Sequence, residues 1–186
     1  MDVTILTDST TEYLLPVNFI FWGFVFVYIL HILEESIFPE AFVEKVKRLY
    51  FPEYNWLTFS CFNTFLLILN ISAIIIFEGK GGAWIIFPLS MATERIFNGF
   101  YHLAETLISK KFSSGLLTSV ISWILGYMII RYSLIKGEIL INHFVISVII
   151  GVLIFSLMIF PLITGNLRKG YLLLEKLKKR CVSNKN

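Results

Sequence analysis

The sequence predicts an all-α fold: a polytopic transmembrane helix bundle of about five membrane-spanning helices, with an interfacial amphipathic helix after the first span. Three observations predict it. Of the 186 residues, 56% are hydrophobic, 18 are Phe, and mean hydropathy is +0.76, whereas soluble domains sit near roughly 45–50% apolar. The excess falls in long runs separated by short charged stretches, as in a chain that crosses a bilayer repeatedly. Lys and Arg gather in alternate connections between those runs, which is how cytoplasmic loops differ from external ones.

Taken in order, the first sixteen residues hold Asp2, Asp8 and Glu12 and no Lys or Arg. A secretory signal has a basic start and a small-residue cleavage site, so the first apolar run is expected to stay as a span. Runs near the about 20 residues that cross a bilayer place spans at 14–33, 56–77, 83–107, 115–134 and 143–164. The third is the least apolar, with Glu94, Arg95, Asn98, His102 and Glu105, and is expected to turn them inward. Pro88 is expected to kink it. After the first span, Phe42, Val46, Leu49 and Tyr50 recur at helical spacing with Lys45, Lys47 and Arg48 on the wetter side, predicting an interfacial helix over 40–50. Gly115, Gly126 and Gly151 read as helix-packing positions. Residues 1–166 form a single bundle in this reading. Residues 167–186 are a basic cytoplasmic tail in which Leu173, Leu174 and Leu177 alternate with Lys176, Lys178, Lys179 and Arg180. Cys61 and Cys181 make neither a disulfide framework nor a CxxC metal knuckle.

Twelve basic residues (Lys45, Lys47, Arg48, Lys110, Lys111 and seven from Arg168 to Lys185) fall on one side and three (Lys80, Arg131, Lys136) on the other. That split predicts the N-terminus outside and the C-terminus in the cytoplasm. The net charge of +3 is thereby read as topology and contact with the anionic inner leaflet and other membrane lipids, not as a nucleic-acid footprint.

Two copies of one pattern, His31-Ile32-Leu33-Glu34-Glu35 and His102-Leu103-Ala104-Glu105, lie in these apolar runs, where an unpaired polar group costs on the order of 3 kcal/mol. In both, His and Glu are three apart and share a helix face. Glu94, Asn98, His102 and Glu105 fall within a stripe of roughly 80°. The orientation brings both copies to the cytoplasmic half with Asn63, whereas His143 begins the last span on the opposite side, about 30 Å away. Imidazoles and carboxylates are ligand types for zinc, iron or manganese, and di-metal bundles place Glu and His three apart, in the opposite order. The expected metal ligands are His31, Glu34, His102 and Glu105. Glu35 or Glu94 is the expected general base, and Asn63, Asn98 and Arg95 are expected to bind or polarise substrate. Two plainer readings stay open. His31, Glu34 and Glu35 could mark the water line, and Arg95, about 20 Å from the inner end at helical rise, could form a structural pair with a carboxylate. Ser122, Trp123 and Tyr127 could line the pocket or belong to an aromatic belt.

His31-x-x-Glu34-Glu35 followed by Pro39 and Phe42, then Asn63, then Asn98-x-x-x-His102, then Phe112-Ser113-Ser114-Gly115 and Thr118, resembles the HXXEE-domain family of small bacterial integral membrane proteins. The resemblance covers roughly residues 18–160. In the family the turn after the second His is usually aromatic-Ser-Pro-Gly; here Ser114 stands at the Pro position. The resemblance implies a bacterial cytoplasmic-membrane location and points to His31, Glu34, Glu35, Asn63, Asn98 and His102. It brings no activity with it. Glu94, Arg95 and Glu105 rest on the sequence alone.

The expected protein therefore holds a cytoplasm-facing His/Glu/Asn pocket. It binds a transition metal and acts as a metal-dependent hydrolase on a lipid or other hydrophobic substrate. The alternatives are a small transporter or permease component that binds a cation, proton or solute, and a helper subunit docked on a membrane-protein partner or a second copy.

Overall fold

The structure is a computed structural model that describes residues 9–37, 42–131, 137, 139–166, 168–170, 172–173 and 176, with side chains from residue 17. The described residues form helices and turns and no strand. In chain order the helices are α1 (Ser9–Ile37), α2 (Phe42–Leu49), α3 (Trp56–Lys80), α4 (Ile86–Ser109), α5 (Leu116–Ile129) and α6 (Ile141–Ile163). Three are long and apolar enough to cross a membrane: Val17–Ile37 of α1, then α3 and α6. The predicted fourth span is represented by α5, which is apolar but has 14 residues.

Local chemistry sets the boundaries. Asn55 caps α3, its side chain accepting from the Thr58 N–H at 3.0 Å, which satisfies one of the first-turn donors that a helix leaves open. Gly81 at φ +64° ends α3, and a short 3₁₀ turn, Gly82–Ile85, leads into α4. Pro88 is thus the third residue of α4. In the first turn a missing N–H breaks no hydrogen bond and the fixed φ suits the helix, so this position gives no reason for the expected kink.

α4, the most polar long helix, lies at the centre and packs against α6, α5, α3 and α1. Eight consecutive residues, Pro88–Arg95, are buried. Close approach depends on small residues. A Cβ at Gly151 would lie 2.6 Å from the Ser90 carbonyl oxygen, and one at Gly126 would lie 2.6 Å from Ile96 Cδ1, so the packing role expected of these two glycines is realised at α4–α6 and α4–α5.

α2 differs from its sequence reading. Val43 and Val46 are buried, Leu49 is exposed, and Lys45, expected on the wet side, is also buried. The reason is a partner that periodicity does not show: Lys45 Nζ donates to Glu105 Oε2 at 2.7 Å. Val43, Val46, Phe51, Tyr54, Phe59 and Leu162 form one apolar cluster that fastens α2 and the turn after it to α3 and α6. Asp2, Asp8, the Glu12 side chain, Pro39, Glu40, Lys136, and Leu174, Leu177, Lys178, Lys179, Arg180, Cys181 and Lys185 in the tail lie outside the described residues.

Candidate metal centre

The two His-x-x-Glu copies meet. His31 on α1 and His102 on α4 have ring centroids 5.1 Å apart at 70°, and both rings are buried. Their Nε2 atoms converge on Glu35 Oε1, at 3.6 Å from His31 and 3.5 Å from His102. One ligand atom from each of His31, Glu35 and His102 lies within 4.8 Å of the other two. Metal–ligand bonds of about 2.0–2.1 Å in a tetrahedral site hold their ligand atoms about 3.4 Å apart. The two Nε2–Oε1 separations fit that geometry.

The carboxylate in this group is Glu35, which the sequence reading assigned as a base. Glu34 faces the other way and accepts from the N–H groups of Leu117 (3.1 Å) and Thr118 (2.9 Å) and from Thr118 Oγ1 (2.6 Å). It is the N-terminal anchor of α5, where a carboxylate suits both the open N–H groups and the helix dipole. Glu105 is held by Lys45 and by the Ser113 hydroxyl. Glu34 and Glu105, each three residues after its His, therefore stand one layer behind the histidines.

That layer repeats. His31 Nδ1 is 2.8 Å from Thr118 Oγ1, and His102 Nδ1 is 2.9 Å from Ser113 Oγ. A carboxylate only accepts, so each hydroxyl gives its proton to its carboxylate and receives from the imidazole Nδ1–H. His31–Thr118–Glu34 and His102–Ser113–Glu105 are two copies of one relay. In each, Nδ1 carries the proton and the Nε2 lone pair points to the centre, the tautomer that a metal requires.

The turn between α4 and α5 delivers both hydroxyls. Gly115, at φ +103°, lies between them, and a Cβ there would approach His31 Cε1 to 2.6 Å and His102 Nε2 to 2.7 Å. Sequence reading placed Gly115 with the packing glycines and met Ser113 and Thr118 only as motif matches. The available signal was three small or hydroxyl residues at 113, 115 and 118, directly after the helix that carries the second His.

The other expected residues divide. Asn98 Nδ2 is 3.1 Å from His31 Nε2. Asn63 lines the same cleft but is engaged locally, its Oδ1 accepting from Tyr28 Oη at 2.7 Å and its Nδ2 donating to the Phe59 carbonyl at 3.0 Å. Arg95 donates to Glu94 through Nε and Nη2, each at 2.5 Å, and its guanidinium lies 4.1 Å over the Tyr28 ring. Arg95 lines the cleft, while Glu94, fully buried, does not. The charge pair that the sequence left open is thus formed between neighbours. Trp123 Nε1 donates to the Ile96 carbonyl at 3.1 Å, Ser122 Oγ to the Thr118 carbonyl at 3.2 Å, and Tyr127 is exposed; none of the three lines the cleft. His143, on the first turn of α6, is outside the group.

The cleft beside the cluster has a volume of about 70 Å³. His31, Glu35, Arg95 and Asn98 supply its polar wall, and Phe62, Leu66, Met158 and Ile159 of α3 and α6 supply the apolar one.

Fold and site together define a helical bundle with apolar outer faces and a buried two-histidine, one-carboxylate cluster. The chain belongs to the family described as proteins of unknown function with an HXXEE motif, which matches residues 22–130, more than half of its length. No curated protein and no solved structure matches it.

Proposed function

We propose that this chain is an integral membrane protein that binds one transition-metal ion, Zn, Fe or Mn, at His31, Glu35 and His102, and uses it to hydrolyse a bond in a lipid or other hydrophobic substrate. The observation that carries the reading is the convergence of two Nε2 atoms and one carboxylate oxygen on a single point inside an otherwise apolar bundle. Three protein ligands leave a coordination position for water, and a bound metal of this kind supplies hydroxide near neutral pH. Asn98 donates to His31 Nε2 in the structure; a metal held by His31 would take that lone pair and leave the Asn98 amide available to a substrate carbonyl. Glu34 and Glu105 hold the ligands in place. Arg95, neutralised by Glu94, presents an electropositive edge to the cleft.

α4 and α5 join the three long helices in the bilayer, making five crossings, with α2 at the inner surface. The N-terminus is outside and the C-terminus cytoplasmic, so that Lys45, Lys47, Arg48 and the basic tail meet anionic lipid. The second reading, a transporter component, draws on the same buried carboxylate and imidazoles as a cation or proton site. Elemental mass spectrometry of detergent-purified protein tests the first. One metal ion per chain, lost in the His31→Ala/His102→Ala variant, is the expected result. A folded, metal-free wild type overturns it and leaves the transport reading.

A further inference from the structure

The cleft has one polar wall and one apolar wall, the latter supplied by α3 and α6. Its end near α2 is closed by Phe42, Tyr54 and Leu162, which pack with Val43, Val46, Phe51 and Phe59. Phe42 stands 6.4 Å from Tyr54 and 5.9 Å from Phe59, ring to ring. Two of its lining residues, Leu66 and Met158, pack with Tyr28 and Met91. α1 and α4 form the back. The remaining side lies between α3 and α6, which meet through side chains of the buried clusters and not through close backbone packing. The residues that flank it are apolar: Phe62, 38% exposed, on α3 and Met158 and Ile159 on α6. Beyond them both helices present bare apolar side chains, Phe65 and Ile68 on α3 and Leu157 and Phe160 on α6.

We propose that the cleft is entered sideways from the bilayer, between α3 and α6, by a single acyl chain that ends in a small carbonyl-containing head. The proposal names the substrate class of the site and rests on that site's reading only for what happens to the head once it is inside. Size sets the head. About 10–15 Å³ of space open to a water-sized sphere holds one water, so about 70 Å³ holds about five and admits a carboxyl or ester group. Polarity sets its direction: His31, Glu35, Arg95 and Asn98 form the wall beside the cluster, while Phe62, Met158 and Ile159 form the facing one. The rest of the molecule has to lie outside, against faces that only a hydrocarbon chain would cover without loss.

The test uses the full chain in lipid nanodiscs and two photoreactive fatty acids, one with its diazirine close to the carboxyl group and one with it at the far end. The first is expected to label Tyr101 and the α4 segment around Asn98. The second is expected to label the outer faces of α3 and α6. Excess oleate is expected to suppress labelling of α4, and butyrate, which reaches the site only from water, is not. Ile159→Trp, which narrows the mouth, is expected to cut labelling of α4 at least tenfold at unchanged metal content. Phe62→Ala, at a partly exposed position, is expected to raise it. Equal labelling of Phe65, Leu157 and α4 by both probes, or full competition by butyrate, overturns the lateral route. Metal content measured on the same samples separates the two ideas. Bound metal without directional labelling sinks the route alone, and directional labelling without metal sinks the metal reading alone.

Discussion

At the scale of single residues, the repeated motif is a device for aiming two imidazoles. Each His is followed three residues later by a Glu that never touches the centre and instead takes the proton of the hydroxyl that supports the ring. Removing such a support typically costs 10–100-fold in metal affinity. Thr118→Val and Ser113→Ala are each expected to weaken metal binding by about that factor in a competition titration against a chelating dye. The helical content is expected to be unchanged, because the Thr118 and Leu117 N–H groups still hold Glu34. Unchanged affinity in both variants would show that the relays do not orient the rings. Arg95 and Glu94 act differently, since each is buried and bonded to the other. Arg95→Ala leaves a buried carboxylate unpaired and is expected to cost about 3–5 kcal/mol, read as an earlier midpoint in detergent unfolding. The double variant Glu94→Gln/Arg95→Met is expected to recover most of that loss, since no charge then remains unpaired.

At the scale of elements, α4 explains why the bundle has this arrangement. Its stripe of polar residues cannot face hydrocarbon, so four helices gather around it, and glycines at 126 and 151 let α5 and α6 come close. α2 closes the bundle at one end through an apolar cluster and the Lys45–Glu105 pair. Thus one short amphipathic helix reaches the His102 relay by way of Glu105. At the same end Arg168 holds Glu53 by two hydrogen bonds of 3.0 and 3.2 Å, and this pairing pulls the Glu53 carboxyl below its usual range. A carboxylate with a lowered folded value contributes fully above its unfolded value, and the contribution is lost as pH falls through the lowered one. Limited proteolysis after residue 165 is therefore expected to speed up on acidification below about pH 4, the ordinary range of Glu. It is expected to be fast at every pH in Glu53→Gln. Equal rates in wild type and variant at pH 7 would remove the tether.

At the scale of the whole molecule, the outer surface selects the solvent. Large apolar side chains such as Phe19, Phe26, Leu57, Phe65, Leu157 and Phe160 are more than half exposed, and only 17% of the most apolar window of α6 is buried. Monomeric water-soluble proteins rarely expose so many large apolar side chains together. The charge split between alternate connections predicts the C-terminus in the cytoplasm. A reporter that fluoresces only in the cytoplasm, fused after Asn186, is expected to be bright, and a phosphatase active only outside is expected to be silent at the same point. The reverse pair of outcomes would invert the orientation and place the His31–Glu35–His102 group in the external half.

Composition and the length of the apolar runs were enough to determine an all-helical chain with helices long and apolar enough to cross a membrane, because bilayer thickness translates directly into run length. That His31, Asn98 and His102 come together was legible too, since helical spacing puts Asn98 and His102 on one face. Which Glu of the Glu34-Glu35 pair joins the centre was not: adjacent residues point about 100° apart on a helix, and only the placement of α5 against α1 shows that its N-terminus claims Glu34. In the same way Lys45 reads as a solvated charge until α4 brings Glu105 to it, and Gly115 as a packing glycine until two imidazoles close on its Cα. The sequence by itself determined the kind of helices and the residues worth watching. The tertiary structure alone decided their partners, because a hydrogen bond or an ion pair depends on distances across elements that no periodicity encodes.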